Sequence, residues 1–82
     1  MSYQERTILE EKLEKLLEVL DSDEGIRIDN EENYIFINKT SRRFCIDIST
    51  NGKDEFVYKD DPREVMRFLK KIIRPSSKIF AY

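Results

Sequence analysis

The feature that most constrains this chain is a two-residue alternation between Ile26 and Tyr58. A period of two is that of a β-strand, whose successive side chains point to opposite faces. Asn51-Gly52 lies within this stretch, and Asn-Gly between alternating apolar residues is the strongest short signal for a two-residue type I′ hairpin. It pairs Thr50 with Lys53, and so Ile46 with Val57, Asp47 with Phe56 and Cys45 with Tyr58. A turn at Thr40-Ser41 pairs Ile37 with Phe44, Phe36 with Cys45 and Ile35 with Ile46. A turn centred on Glu31-Glu32 pairs Ile28 with Ile35 and Ile26 with Ile37.

The three turns agree on the faces. Ile26, Ile28, Ile35, Ile37, Phe44, Ile46, Ile48 and Val57 share one face; Arg27, Asp29, Tyr34, Phe36, Cys45, Asp47, Phe56 and Tyr58 share the other. A one-residue slip in any hairpin would mix the two sets. The expectation is a four-stranded antiparallel meander, with strands at about 25–29, 33–39, 43–49 and 54–59.

Helices are expected on both sides of the meander. Leu9, Leu13, Leu16, Leu17 and Leu20 recur at helical spacing, and Ser2 with Glu5 fits a capping box, which predicts a helix over about 3–20. Asp61, Pro62 and Glu64 are a helix start, Val65, Met66, Phe68, Leu69, Ile72 and Ile73 an apolar face, and Pro75 a stop, which predicts a second helix over about 62–74. The tail 75–82 carries Ile79, Phe80 and Tyr82. The fold class is α+β in the order α-β-β-β-β-α, and 82 residues make one small domain. Both helices bury their stripes most simply on the aliphatic sheet face. The aromatic face is then left bare, or covered by the tail or by a second copy.

Composition narrows the chemistry. Charged residues are 39% of the chain, the net charge is −2, and there is no His, no Trp and one Cys. Cys45 has no His to activate it, and a lone Cys points to a reducing compartment, read as cytoplasmic. Asp60 and Asp61 read as helix capping, and Asp21, Asp23 and Glu24 lack the spacing of a calcium loop. There is no glycine loop for phosphate, no apolar run long enough to span a membrane, and no signal peptide. The sequence predicts a non-enzyme with no metal, cofactor or small-molecule substrate. Ten Ile against one Ala fit AT-rich coding DNA, as in some prokaryotes and their viruses.

The binding surfaces are what remain. Tyr34, Phe36, Phe56 and Tyr58 would form an apolar patch of the kind that soluble monomers seldom leave bare. Arg42 and Arg43 stand at a turn beside it, suited to carboxylate or phosphate. Charge is also segregated: residues 1–32 sum to −7 and residues 62–82 to +5, the latter including Arg67, Lys70, Lys71 and Arg74 as a basic surface.

The leading expectation is a small regulatory interaction protein, a homodimer, that binds another protein through the aromatic face. The alternative is a single-stranded nucleic-acid binder, in which aromatic residues stack bases and cations track the backbone. Four antiparallel strands followed by a capped helix resemble, in element order, a fold found among transcriptional coactivators; the N-terminal helix departs from it. A further alternative is a structural subunit of a larger assembly.

Overall fold

The computed structural model describes residues 6–82. In chain order these form β1 (Arg6–Ile8), a 3-10 turn (Glu10–Lys12), α1 (Leu13–Glu18), β2 (Gly25–Asp29), β3 (Tyr34–Lys39), β4 (Phe44–Thr50), β5 (Lys53–Lys59), α2 (Pro62–Leu69) and β6 (Lys78–Ala81). The architecture is α+β: one antiparallel six-stranded sheet in the order β1-β6-β2-β3-β4-β5, with both helices on one face.

The meander is present at its expected place, and two of its three hairpins have the expected register. Ile26 pairs with Ile37 and Ile28 with Ile35. Thr50 pairs with Lys53 around Asn51-Gly52, whose φ values of 51° and 80° are those a type I′ turn requires. The middle hairpin differs. Ile37 pairs with Ile46, Phe36 with Asp47 and Lys39 with Phe44, so the register is shifted by two residues from a Thr40-Ser41 turn. The connection spans Thr40 to Arg43, closed by the Thr40 amide donating to the Arg43 carbonyl at 2.8 Å and by the Thr40 hydroxyl donating to the same carbonyl at 3.0 Å. A two-residue shift leaves every side chain on its original face, so the face assignment survives it.

The sheet has two more strands than the sequence led us to expect. The helix over 3–20 is a correction: residues 6–8 are strand, and regular helix covers only Leu13–Glu18 after a 3-10 turn. Thr7 and Ile8 are β-branched and favour a strand where an edge is available. The edge is β6, formed by the tail, which pairs with β2 (Ile28 with Ile79) and with β1 (Ile8 with Ile79). The Ser2–Glu5 capping box lies outside the described residues. With a strand at each end, the coactivator-like element order no longer describes the chain.

α2 starts as expected: the Glu64 amide donates to Asp61 Oδ1 at 3.0 Å, and Glu64 Oε2 accepts from the Asp60 amide at 3.2 Å. It ends at Leu69 rather than Arg74, because the chain tightens into turns there, with the Lys71 amide donating to the Phe68 carbonyl and the Ile72 amide to the Leu69 carbonyl.

The core lies between the helices and the aliphatic face. Leu13, Leu17 and Leu20 meet Val65, Met66 and Leu69 over Ile26, Ile28, Ile35, Ile37, Phe44 and Ile46. Each such fully buried side chain stabilises the fold by about 1.5–3 kcal/mol relative to exposure. Ile79 of β6 joins this core. The returning chain is pinned by Asn30, whose Nδ2 donates to Asn33 Oδ1 at 2.8 Å and to the Ile72 carbonyl at 3.3 Å, and whose Oδ1 accepts from the Ser77 hydroxyl. No helix among the described residues is long and apolar enough to cross a membrane.

Candidate functional site

Because both helices take the aliphatic face, the other face of the sheet carries no layer of described residues. The tail extends this face instead of crossing it: as β6 it adds Phe80 and leads into Tyr82. Strand pairing sorts the outward side chains into three rows. The central row runs Thr7, Phe80, Arg27, Phe36, Asp47, Phe56 from β1 to β5. A second row runs Lys78, Asp29, Tyr34, Ser49, Asp54. The third runs Gly25, Asn38, Cys45, Tyr58, with Tyr82 beside Gly25.

The aromatic residues of this face are open to solvent. Tyr34, Phe56 and Tyr58 are 54%, 55% and 54% exposed, while Phe36 and Phe80 are half-buried. Two of the rings, Phe80 and Tyr58, have an arginine over them. The Arg27 guanidinium lies 4.6 Å from the Phe80 ring centre, and its Nε donates to Asp29 Oδ1 at 3.0 Å. Arg43 lies 5.9 Å from the Tyr58 ring centre and 3.7 Å from Asp60 Oδ1, an exposed pair of small energetic weight. Tyr82 is drawn onto the face by Gly25: the Gly25 amide donates to the Tyr82 carbonyl at 2.8 Å, and the Tyr82 amide donates back at 3.0 Å. The Tyr82 ring then occupies the space where a side chain at position 25 would begin.

Asp47 is the electrostatic anomaly of the face. It stands between Phe36 and Phe56 in the central row. Its Oδ1 is buried and accepts no hydrogen bond among the described residues. Loss of hydration raises its pKa above the ordinary carboxylate value, and the nearby Asp54 adds to the rise.

The structure thus brings Tyr34, Phe36, Phe56 and Tyr58 onto one surface and places Arg43 at its rim. Arg42 is exposed in the same turn. Arg67, Lys70, Lys71 and Arg74 are exposed on or just after α2, on the helix side of the sheet and away from the aromatic residues. Arg27 and Asp47 stand on this face as the alternation predicts, while Phe80 and Tyr82 are additional members brought to it by β6. The alternation Ile79, Phe80, Ala81 was the available signal for Phe80. Cys45 is a free, half-buried thiol in the third row. Among the described residues no group of three or more His, Cys, Asp or Glu is placed to hold a metal ion. No protein-family model, curated protein or solved structure matches the chain.

Proposed function

We propose that this is a small non-enzymatic interaction protein that binds a protein partner through the outward face of its sheet. The observation that carries the reading is that face itself: six strands wide, rich in aromatic residues, and with Tyr34, Phe56 and Tyr58 each more than half exposed. Soluble proteins seldom expose contiguous apolar surface without a use for it, and Tyr, Phe and Arg are enriched at protein interfaces. Tyr34, Phe36, Phe56 and Tyr58 supply the apolar contact, with Arg43 and Arg42 as a charged rim.

The charge of the face favours protein over nucleic acid. Among the described residues the cations Arg27 and Lys78 and the rim residues Arg42 and Arg43 are balanced in number by Asp29, Asp47, Asp54 and the rim residue Asp60. A balanced surface of this kind offers a polyanion no counterion-release gain, which is the main source of non-specific nucleic-acid affinity. The cations of α2 that could track phosphates are on the other side of the sheet. A role as a structural subunit would use the same face.

A site-specific photo-crosslinker tests the reading. Placed at Phe56, it is expected to capture protein; placed at Glu14 on the helix side, it is expected to capture little. Crosslinks from position 56 to nucleic acid, or to nothing, would overturn the protein-binding reading. A low-salt titration with single-stranded oligonucleotide is expected to show no binding.

A further inference from the structure

The order of charges across the outward face identifies the partner's chemistry. From β6 to β5 the central row reads aromatic, cation, aromatic, anion, aromatic: Phe80, Arg27, Phe36, Asp47, Phe56. The row is symmetric about Phe36 in shape and antisymmetric in charge. The second row is centred on Tyr34 and has opposite charges at its two ends, Lys78 and Asp54, with Asp29 set against the neutral Ser49 between them. A surface that is its own mirror in shape and its own opposite in charge is complementary to itself.

We propose that the partner on this face is a second copy of the same chain, packed sheet to sheet about a two-fold axis that runs along β3. This rests on the reading of the face as a protein-binding site and names its occupant. Such an axis keeps each row over itself and reverses its order. Phe36 and Tyr34 then meet their own copies, Phe80 meets Phe56, and the Lys78 ammonium faces the Asp54 carboxylate. Arg27 faces Asp47, twice in the assembly. Isologous contacts of this kind are the usual route to a closed dimer.

The alternative two-fold axis, perpendicular to the strands, sets Arg27 on Arg27 and Asp47 on Asp47, and the charge order argues against it. Sheets pack about 10 Å apart, a gap that Arg and Lys side chains cross. Among the described residues Lys78 and Asp54 form no ion pair, so the dimer would give both a partner. With the axis along β3, five strands overlap and β1 lies outside the contact. At about 4.8 Å apart and three rows deep they make a flat footprint of about 480 Å² per copy, or about 960 Å² in all, the size of a weak, reversible interface.

Charge reversal with mixing provides the test. The parent chain, followed by sedimentation equilibrium over a wide concentration series, is expected to pass from monomer to dimer. Lys78→Asp and Asp54→Lys change exposed residues away from the core, and each alone sets like charges against each other at both contacts. Each is expected to weaken the dimer about tenfold or more. An equimolar mixture of the two restores opposite charges at both contacts, and heterodimer is expected to dominate by native mass spectrometry. Phe56→Ala supplies an independent readout, with a weaker dimer and an unchanged fold by circular dichroism.

A parent that stays monomeric throughout overturns the second copy as partner. If position 56 then crosslinks to a different protein, the protein-binding reading still stands; if it crosslinks to no protein, both fail. A parent dimer that ignores the single reversals, or is not restored by mixing, overturns the two-fold arrangement.

Discussion

The two faces of this sheet both carry apolar side chains and use them differently. The helix side is aliphatic: Ile26, Ile28, Ile35, Ile37 and Ile46 are fully buried beneath α1 and α2. The outward side is aromatic and interleaved with charge, and three of its rings are more than half exposed. Branched aliphatic side chains gain from close packing and offer nothing to water. Tyr, and Phe beside Arg, combine a large contact area with polar or cationic edges, so they tolerate solvent. The difference separates what holds the fold from what is available for recognition, and substitutions on the two faces should behave accordingly.

The largest expected effect is on the helix side. Ile37→Ala empties a site that is 0% exposed, between Ile26 and Ile46. Such truncations cost about 2–5 kcal/mol. That is a large part of the stability of a domain this size, which is of order 4–12 kcal/mol. Phe56→Ala removes a larger side chain from the outward face, yet should change monomer stability by less than about 1 kcal/mol. Urea unfolding at high dilution checks both. Equal losses would mean that the outward aromatic residues are core after all.

A middle-sized effect is expected where the outward face and the tail meet. A methyl group at position 25 would lie 2.8 Å from Cζ of Tyr82, so Gly25→Ala must push the ring aside. Tyr82 is at the chain end and partly exposed, so the ring can swing away and the cost should be about 1 kcal/mol. In Tyr82→Ala the obstacle is gone, and the same Gly25→Ala change should cost much less. A double-mutant cycle in urea reads the difference. A cycle with no coupling would show that the ring does not rest on Gly25.

The asymmetry between the faces was legible in the sequence to a definite depth. Asn51-Gly52 fixed one hairpin, and the parity of Ile and aromatic positions sorted both faces, because a period of two leaves no other consistent arrangement. The β3–β4 register was not legible: a two-residue shift preserves parity, so the pattern cannot see it. β1 and β6 were hidden for another reason. Each is short, and β6 pairs with β2 across more than fifty residues of chain, with no local turn to announce the pairing. Leu9 to Leu20 carried a helical period strong enough to mask the β-branched Thr7-Ile8 before it. The candidate face was therefore read at its meander half, while Phe80 and Tyr82 appear only once the tail has found its place.

The smallest effect is also the most discriminating, because its sign depends on whether the outward face is open or occupied. In the monomer, partial burial between Phe36 and Phe56, with Asp54 nearby, raises the pKa of Asp47 above its ordinary 3.8. A carboxyl whose folded pKa is raised contributes stability that is fully present below the unfolded value and is lost as pH rises through the folded value. At neutral pH the ionised Asp47 is thus a net cost to the monomer. Asp47→Asn should raise monomer stability there, and the gain should shrink as pH falls towards 3.8 and below. The difference between the parent and variant urea midpoints reads position 47 together with its interaction with Asp54. Arg27, Asp29 and Lys78 share the outward face and shape the field, but they are present in both chains. In the proposed dimer the same substitution would remove the charge that faces Arg27 across the two-fold axis. Asp47→Asn should then weaken association while strengthening the isolated fold. A variant whose association is unchanged or stronger would show that Asp47 does not serve a partner, and one whose monomer is weakened at neutral pH would show that the ionised carboxylate is not a cost to the fold.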